Sequence, residues 1–495
     1  MTGTDLLKQK GVALLASEKR LSYSFTAFSA PYADLTYHFV SHVLAAHRLS
    51  FLENVIMTLL RECVANAVKA NLKRAYFDRH AADITSASEY EQLIQDFKQN
   101  GVANLEDHIP AMNDLGLKVK VHLETNEHGL RLIIQNNAGM TPEELQRAKE
   151  RVSVAGRLES VVDAFDEFAD EEEGAGLGLI LNMLLLKKSG IDPKNFQIAS
   201  DQANTRVSLT IPRISAVPET VREMYERISA EVQEIPTFPE SINRILELCK
   251  NTDSSAAMIA TQIERDPSVA AGIVRMANSG GFSMGHKISS IQRAVATIGI
   301  KNVQQLTLAH GSRSILEQHY SVFQGFWNHA ERCALYARLI TEQLGLRKIS
   351  DAAYLGGLLH DIGKIVLHSL DPEVIRGING LNLDRTENST AVLEEITLGL
   401  SHAEVGARLA ERWNFSDELT DVIRNHHSAF AAKPEHRTAV SVVHIADAFI
   451  RVEEKKVSYV YFDVEAQGQL GIRRTRDLEA LHEHVRGRAS LAAGA

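Results

Sequence analysis

The chain has 495 residues, with 53 Lys plus Arg against 63 Asp plus Glu and a formal net charge of −10. Such a length exceeds one hydrophobic core, so two or three domains are expected, and the acidic balance argues against a general nucleic-acid binder, which needs basic surface to neutralise phosphates. Cys63, Cys249 and Cys333 are too few and scattered for a disulfide framework or a cysteine zinc site.

No apolar run reaches membrane length, and the amino terminus MTGTDLLKQKG lacks a signal-peptide hydrophobic core. The expected location is therefore the cytoplasm, with neither membrane nor nucleic acid as partner. Residues 1 to about 50 predict some helix and a strand. From Leu52 to about Ala75 the pattern is strongly helical, with Val55, Leu59, Cys63, Ala67 and Ala70 on one side. Glu62 and Asn66 share a face of that helix, where a carboxamide oxygen can ligate Mg²⁺ and a carboxylate can orient a water. VKVHLETNEHGLRLIIQNNAGM predicts a β-hairpin turning at Asn126 to Gly129. A helix TPEELQRA follows, with Thr141 as N-cap and Pro142 at its first position. An acidic run from Leu158 to Glu173 holds eight carboxylates and no basic residue, and reads as a solvated loop. The stretch Glu173 to Leu179 is glycine-rich and opens an apolar helix, where backbone N–H groups can approach phosphates. FQIAS and TRVSLTIP predict a closing pair of strands ending at Pro212.

In this order, Leu52 to Pro212 resembles the GHKL (Bergerat) ATP-binding fold of histidine kinases, gyrase-type ATPases and anti-sigma kinases. The resemblance implies ATP with Mg²⁺ as cofactor. It makes Glu62 the catalytic residue that orients water, and Asn66 the Mg²⁺ ligand. Gly174, Gly176 and Gly178 would cap the phosphates. Anchoring the adenine box on Gly139 places Gln135 where the family has an aspartate, and Asn137 where it has a glycine; a neutral acceptor should weaken adenine recognition. No phosphoacceptor helix or receiver-like domain is visible, so a complete histidine kinase is not the reading.

Residues 214–235 carry Pro218 and a charged, weakly amphipathic helix, which suits a linker. Helical patterns follow, with Ser255 and Asp266 as caps and Pro267 at a first helical position. The stretches IPTFPESINRIL, ERDPSVAAGIVRMANS and SSIQRAVATIGIKNVQQL closely resemble the HDOD family of bacterial signalling proteins, relatives of the HD phosphohydrolases. With the histidine segments that follow, the resemblance spans about Ile235 to His427.

Those segments carry the chemistry. YLGGLLHDIGKIVL reads as one buried helix with His360 and Asp361 at its centre, and with Gly356 and Gly357 admitting a neighbouring helix. His329 lies near the start of another helix, and His402 follows Ser401, which with Glu404 suggests a capping box. His426 and His427 end ELTDVIRNHH, and Asp447 lies in VVHIADAFI. Imidazole and carboxylate donors suit Mn²⁺, Fe or Zn²⁺. The metal-dependent HD phosphohydrolases show the order histidine, His-Asp, further histidines, aspartate, and the resemblance assigns His329, His360, Asp361, His402, His426, His427 and Asp447 as metal ligands. Asp361 would also be catalytic, and Lys364 would meet a substrate phosphate or cap a helix end. The double histidine continues as SAFAAKP, unlike the GYP run of cyclic-di-GMP phosphodiesterases.

The expected architecture is multidomain: an N-terminal α/β sandwich of GHKL type (1–213), a helical linker (214–235), an all-α HDOD/HD-like domain (236–452) and a partly disordered carboxy-terminal extension (453–495). VSYVYFDV in that extension reads as strand-like, DLEALHEHV as a short helix, and RGRASLAAGA as disordered. The functional expectation is a bacterial signal-transduction regulator in which an ATPase-like sensor controls a protein-interaction module. The alternatives are a metal-dependent phosphohydrolase acting on a nucleotide or cyclic dinucleotide, and an anti-sigma-type protein kinase. Expected partners are signalling proteins, a nucleotide ligand and a second copy of the chain in a homodimer.

Overall fold

The computed structural model describes residues 3–49, 52–97, 101, 105–127, 129–157, 183, 186–187, 189–201, 203–213, 219–278, 288–321, 324–370, 391, 394, 398–454, 459 and 462–493. The chain divides into two compact units, Met1–Met224 with Val392–Gly399, and Tyr225–Ala391 with Leu400–Ala495.

The first unit contains α1 (Gly3–Glu18), β1 (Arg20–Phe25), α2 (Ala30–Ala46), α3 (Glu53–Arg79), α4 (Ala87–Asp96), α5 (Leu105–Asp114), β2 (Val119–Asn126), β3 (Gly129–Asn136), α6 (Pro142–Arg157), β4 (Phe196–Ser200) and β5 (Thr205–Pro212). The strands form one antiparallel sheet in the order β1-β2-β3-β5-β4. Alternation sets its buried face: Val119, Val121 and Leu123 of β2 are all fully buried. Helix α3 lies against β2 and β3, and its Leu59, Leu60 and Cys63 line one small apolar cavity with Leu132, Ile134, Val207 and Leu209 of the sheet. The expected hairpin is present, with Asn126 paired to Gly129. Gly129 has φ +146, and a Cβ there would lie 2.0 Å from the Ile211 carbonyl oxygen, so the turn accepts no other residue. Thr141 and Glu144 form the reciprocal N-cap of α6: the Glu144 N–H donates to Thr141 Oγ1 at 3.2 Å, and the Thr141 N–H donates to Glu144 Oε2 at 2.9 Å. The layering agrees with the expected α/β class, although a helical layer on an antiparallel sheet does not by itself define an ATP-binding fold. Gly174, Gly176, Gly178 and the acidic run 158–173 lie outside the described residues.

The second unit is helical among the described residues. It contains most of α7 (Glu219–Glu234), then α8 (Glu240–Lys250), α9 (Ala256–Glu264), α10 (Pro267–Asn278), α11 (Ile291–His319), α12 (Gln324–Gln343), α13 (Ser350–Leu359), α14 (Ile362–Leu370), α15 (His402–Arg412), α16 (Asp417–Asn425), α17 (Arg437–Glu453), α18 (Val464–Gln469) and α19 (Thr475–Ala493). Ser255 and Asp266 cap α9 and α10 as expected. The expected linker is instead packed from Tyr225 onward: Ile228, Val232 and Ile235 are buried, and Arg408 of α15 donates to Ser229 Oγ at 2.7 Å. Those three apolar residues recur at one helical face, a stronger stripe than the charged composition suggests.

Two further expectations are corrected. The stretch Tyr354 to Leu367 is not one helix, because the chain turns at His360 and Asp361 between α13 and α14. A Cβ on Gly363 would lie 2.0 Å from the His402 carbonyl oxygen and 2.6 Å from the Gly406 nitrogen, so α14 packs backbone to backbone on α15. The extension is also more ordered than expected: α19 continues to Ala493 through RGRASLAA, with Leu478, Leu481 and Val485 buried in the core formed with α12 and α17. Of VSYVYFDV, residues 457–458 and 460–461 lie outside the described set, and its last residue, Val464, begins α18.

Candidate metal centre

Helix α13 sets the position of the centre. A Cβ on Gly357 would lie 2.9 Å from Ala334 Cα of α12, and one on Gly356 would lie 2.5 Å from Val422 Cγ1 of α16. The glycine pair thus admits a helix on either side, as the sequence predicts, and α13 delivers His360 and Asp361 between those neighbours. His360 is fully buried and Asp361 is 4% exposed.

The seven expected ligands converge. Asp361 Oδ2 lies 3.3 Å from His360 Nε2 and 3.8 Å from His329 Nε2. Its Oδ1 lies 3.2 Å from His402 Nε2 and 3.8 Å from His426 Nε2. His329 Nε2 is 3.1 Å from Asp447 Oδ1. His402 Nε2 stands 3.3 Å from His426 Nε2 and 3.0 Å from His427 Nε2. Two ligand groups result, His329–His360–Asp361 and His402–His426–His427, each with its donor atoms within 4.8 Å of one another. The Asp361 carboxylate turns one oxygen towards each.

Hydrogen bonds fix two of the imidazoles. His360 Nδ1 donates to the Gly357 carbonyl and His426 Nδ1 to the Ile423 carbonyl, both at 2.8 Å. A carbonyl only accepts, so Nδ1 carries the proton in each neutral ring and Nε2 presents a lone pair inward. His360 Nε2 and Asp361 Oδ1 are buried without a hydrogen-bond partner. Buried polar atoms left so are costly unless something satisfies them.

The buried groups shift one another. Burial raises the Asp361 carboxyl, but His360, Lys364 and His402 outweigh it and hold the group well below the ordinary carboxylate range. Burial lowers His360, and Asp361 with Cys333 more than reverses it, so this imidazole is held well above its usual value. His426 and His427 are pushed well below theirs, first by burial and then by neighbouring imidazoles. Asp447 is held low despite burial, chiefly by His329 and Arg451. His402, His426 and His427 offer donor atoms within 4.8 Å of one another, an arrangement that a cation satisfies.

Lys364 is neither a helix C-cap nor remote. The break at His360–Asp361 puts it in the first turn of α14, with Nζ 2.7 Å from Asp361 Oδ2. Ser401 caps α15 with its hydroxyl, but Glu404 does not complete the box; its carboxylate takes Arg408 at 3.0 Å and Arg424 at 2.9 Å instead. Arginine partners outcompete a neutral N–H for that charge.

Residues 235–429 match the HDOD domain. This stretch is an HDOD domain. The match ends before α17, so Asp447 and the carboxy-terminal helices lie beyond the matched HDOD residues. An uncharacterised protein of Treponema pallidum is 28% identical over 419 residues, covering 83% of this chain and 82% of that protein. A ribonuclease Y of Fervidobacterium nodosum is 27% identical over 136 residues, 28% of this chain and 20% of that protein. The solved structure of an HDOD domain protein with unknown function from Geobacter sulfurreducens is 23% identical, with a TM-score of 0.45, covering 55% of this chain and 98% of that one.

Three further residues adjoin the HDOD centre, and of these Cys333 and Arg451 were given no part in it by the sequence reading. Cys333, fully buried, lies beside His360 and influences it. His444 Nδ1 donates to the His426 carbonyl at 2.7 Å and steadies that turn. Arg451 approaches Asp447 Oδ2 at 3.9 Å. Cys333 and Arg451 each stand four residues after a ligand on the same helix, and that spacing was the available signal.

Among the described residues, the expected ATP-site side chains of the first unit do not present a comparable arrangement. Asn66 is exposed, and Glu62 is half-buried with its carboxyl raised by burial. The Gln135 carboxamide is engaged, its oxygen accepting from Arg206 at 3.2 Å and its nitrogen donating to Asn204 at 3.3 Å. The Gly139 carbonyl accepts from Arg74.

Proposed function

We propose that the HDOD domain of this chain is a metal-dependent phosphohydrolase acting on a nucleotide or cyclic dinucleotide. The observation that carries this reading is the single Asp361 carboxylate turned towards two imidazole groups, with Asp361 Oδ1 and His360 Nε2 buried and unsatisfied. The donor set fits a borderline or hard divalent cation such as Mn²⁺, Fe²⁺ or Zn²⁺. His329, His360, Asp361 and Asp447 would hold one cation, and His402, His426 and His427 would hold a second with Asp361 between them. Such a cation polarises a phosphoryl oxygen and lowers the pKa of water.

The residues divide the remaining work. His360, His402 and His426 are fully buried and keep water away from the inner side. His329 and Lys364 keep 23% and 25% of their side chains exposed, so substrate approaches past them. Lys364 is then placed to meet a phosphoryl oxygen with its ammonium. The short likeness to ribonuclease Y supports phosphate-ester chemistry, since that protein is named for cleaving RNA.

The test is the metal content of untagged protein by elemental mass spectrometry, wild type beside His360→Ala. About one or two equivalents of Mn, Fe or Zn are expected in the wild type and loss in the variant, followed by turnover of a phosphate ester. A wild type that stays empty after metal is added back refutes the reading.

The second reading is a signalling regulator in which the HDOD domain binds a protein and the first unit senses nucleotide. The near-complete burial of the centre favours it, because a closed cluster suits a structural cation as well as a catalytic one. Calorimetric binding of Mg-ATP to the full chain, abolished by Asn66→Ala, supports the sensor; no heat refutes it. Phosphotransfer to a protein would mark the anti-sigma-type kinase.

A further inference from the structure

Beyond Asp447, α17 ends in a polar cluster. Glu453, its last residue, accepts from three directions: Oε2 takes Arg332 Nη2 at 2.6 Å, and Oε1 takes Tyr336 Oη at 2.6 Å and His482 Nε2 at 2.9 Å. Arg332 and Tyr336 are one turn apart on α12, and His482 belongs to α19. His482 is 2% exposed and saturated: its Nδ1 meets Tyr459 Oη at 2.6 Å, and its ring stacks on Phe449 of α17 at 4.2 Å with 3° between planes. A carboxylate accepting two charge-assisted or phenolic bonds and an imidazole N–H, two of its three partners (Tyr336 and His482) being buried, is a local tie.

The tie joins the same two helices that carry His329 and Asp447. Arg332 follows His329 by less than a turn, and Glu453 follows Asp447 by less than two. Where His329 Nε2 and Asp447 Oδ1 stand 3.1 Å apart, small sliding of α12 against α17 would separate them. The ligands His402, His426 and His427 sit on or after α15 and α16 and have no part in the tie.

We propose that Glu453 is a positioning residue for the metal centre, clamping α12 to α17 so that His329 and Asp447 stay in register, and that the carboxy-terminal extension joins the clamp through His482. The inference rests on the metal reading above. It assigns a task to helices that lie wholly beyond the matched HDOD residues.

The experiment is titration of the metal-free full chain with Mn²⁺, free ion counted by electron paramagnetic resonance, alongside thermal unfolding of the metal-free proteins. Three chains are compared: wild type, Glu453→Gln and Val485→Ala. Val485 is a fully buried apolar residue of α19 outside the polar cluster, so its loss weakens the extension without touching the clamp. Glu453→Gln should bind Mn²⁺ about tenfold more weakly, the size typical of residues that orient ligands from behind. Val485→Ala should bind within twofold of wild type despite a lower unfolding temperature. Wild-type affinity in Glu453→Gln, or equal weakening in Val485→Ala, overturns the inference and leaves the metal reading standing. A wild type that binds no Mn²⁺ overturns both.

Discussion

Gly363→Ala tests the backbone contact that shapes the centre. The new methyl would lie 2.0 Å from the His402 carbonyl oxygen, 2.6 Å from the Gly406 nitrogen and 2.9 Å from the His402 carbonyl carbon, all backbone atoms that no rotamer can move. Restoring ordinary contact requires α14 and α15 to part by more than about 1 Å. Overpacking of that kind costs about 3 kcal/mol, while replacing glycine by alanine in a helix returns about 1 kcal/mol. The clash wins, and a net loss of about 2 kcal/mol is expected. Both tryptophans of the chain, Trp327 and Trp413, lie in the second unit, so urea unfolding followed by tryptophan fluorescence reads that unit alone. The same movement pulls His402 away from Asp361, now 3.2 Å apart, and should weaken Mn²⁺ binding. A variant as stable as wild type, with unchanged metal affinity, would refute the packing argument.

Two further outcomes are expected. In the first unit, Lys73 and Arg74 hold Glu144 at about 2 against an ordinary 4.5, in spite of burial. A depressed carboxyl stabilises the fold above its unfolded value and loses that contribution as pH falls through its folded one. The gap between wild type and Glu144→Gln should therefore be about 3 kcal/mol at neutral pH and close as pH falls from 4.5 towards 2; far-UV ellipticity measures it, and a gap that does not change with pH would sink the assignment. In the second unit, Lys364→Met should leave metal content unchanged and lower phosphate-ester turnover by about a hundredfold; loss of metal instead would make Lys364 a support for Asp361 rather than a substrate contact.

Local chemistry made much of the first unit legible. The Asn126–Gly129 turn and the Thr141–Glu144 cap are short-range devices whose residues stand next to their partners in sequence. The histidine centre was legible for another reason: charged and imidazole side chains inside apolar stripes demand satisfaction, and His360 with Asp361 marked where. The break between α13 and α14 was not, since Leu355, Leu359, Ile362 and Val366 keep helical spacing across it. The close approach of α14 to α15 is a long-range backbone contact, of which the sequence carries only Gly363 as a trace. Helix α19 was underestimated because its stripe of Leu478, Leu481 and Val485 ends before its last two turns, which then read as polar coil. Of the segments whose order resembles an ATP-binding fold, the glycines at 174, 176 and 178 lie beyond the described residues, and the carboxamide at the adenine position is already bonded.

The ligand groups of the centre are spread from His329 to Asp447, 118 residues apart. A site closed by such distant segments has no precursor in any local hairpin, because the entropy of closing those loops is met only when the flanking helices have packed. During synthesis, His329, His360, His402, His426 and His427 all precede α17, so the full donor set assembles only once the carboxy-terminal helices have formed. Chains halted before α17 would hold these five histidines with one carboxylate, Asp361, among them and without Asp447.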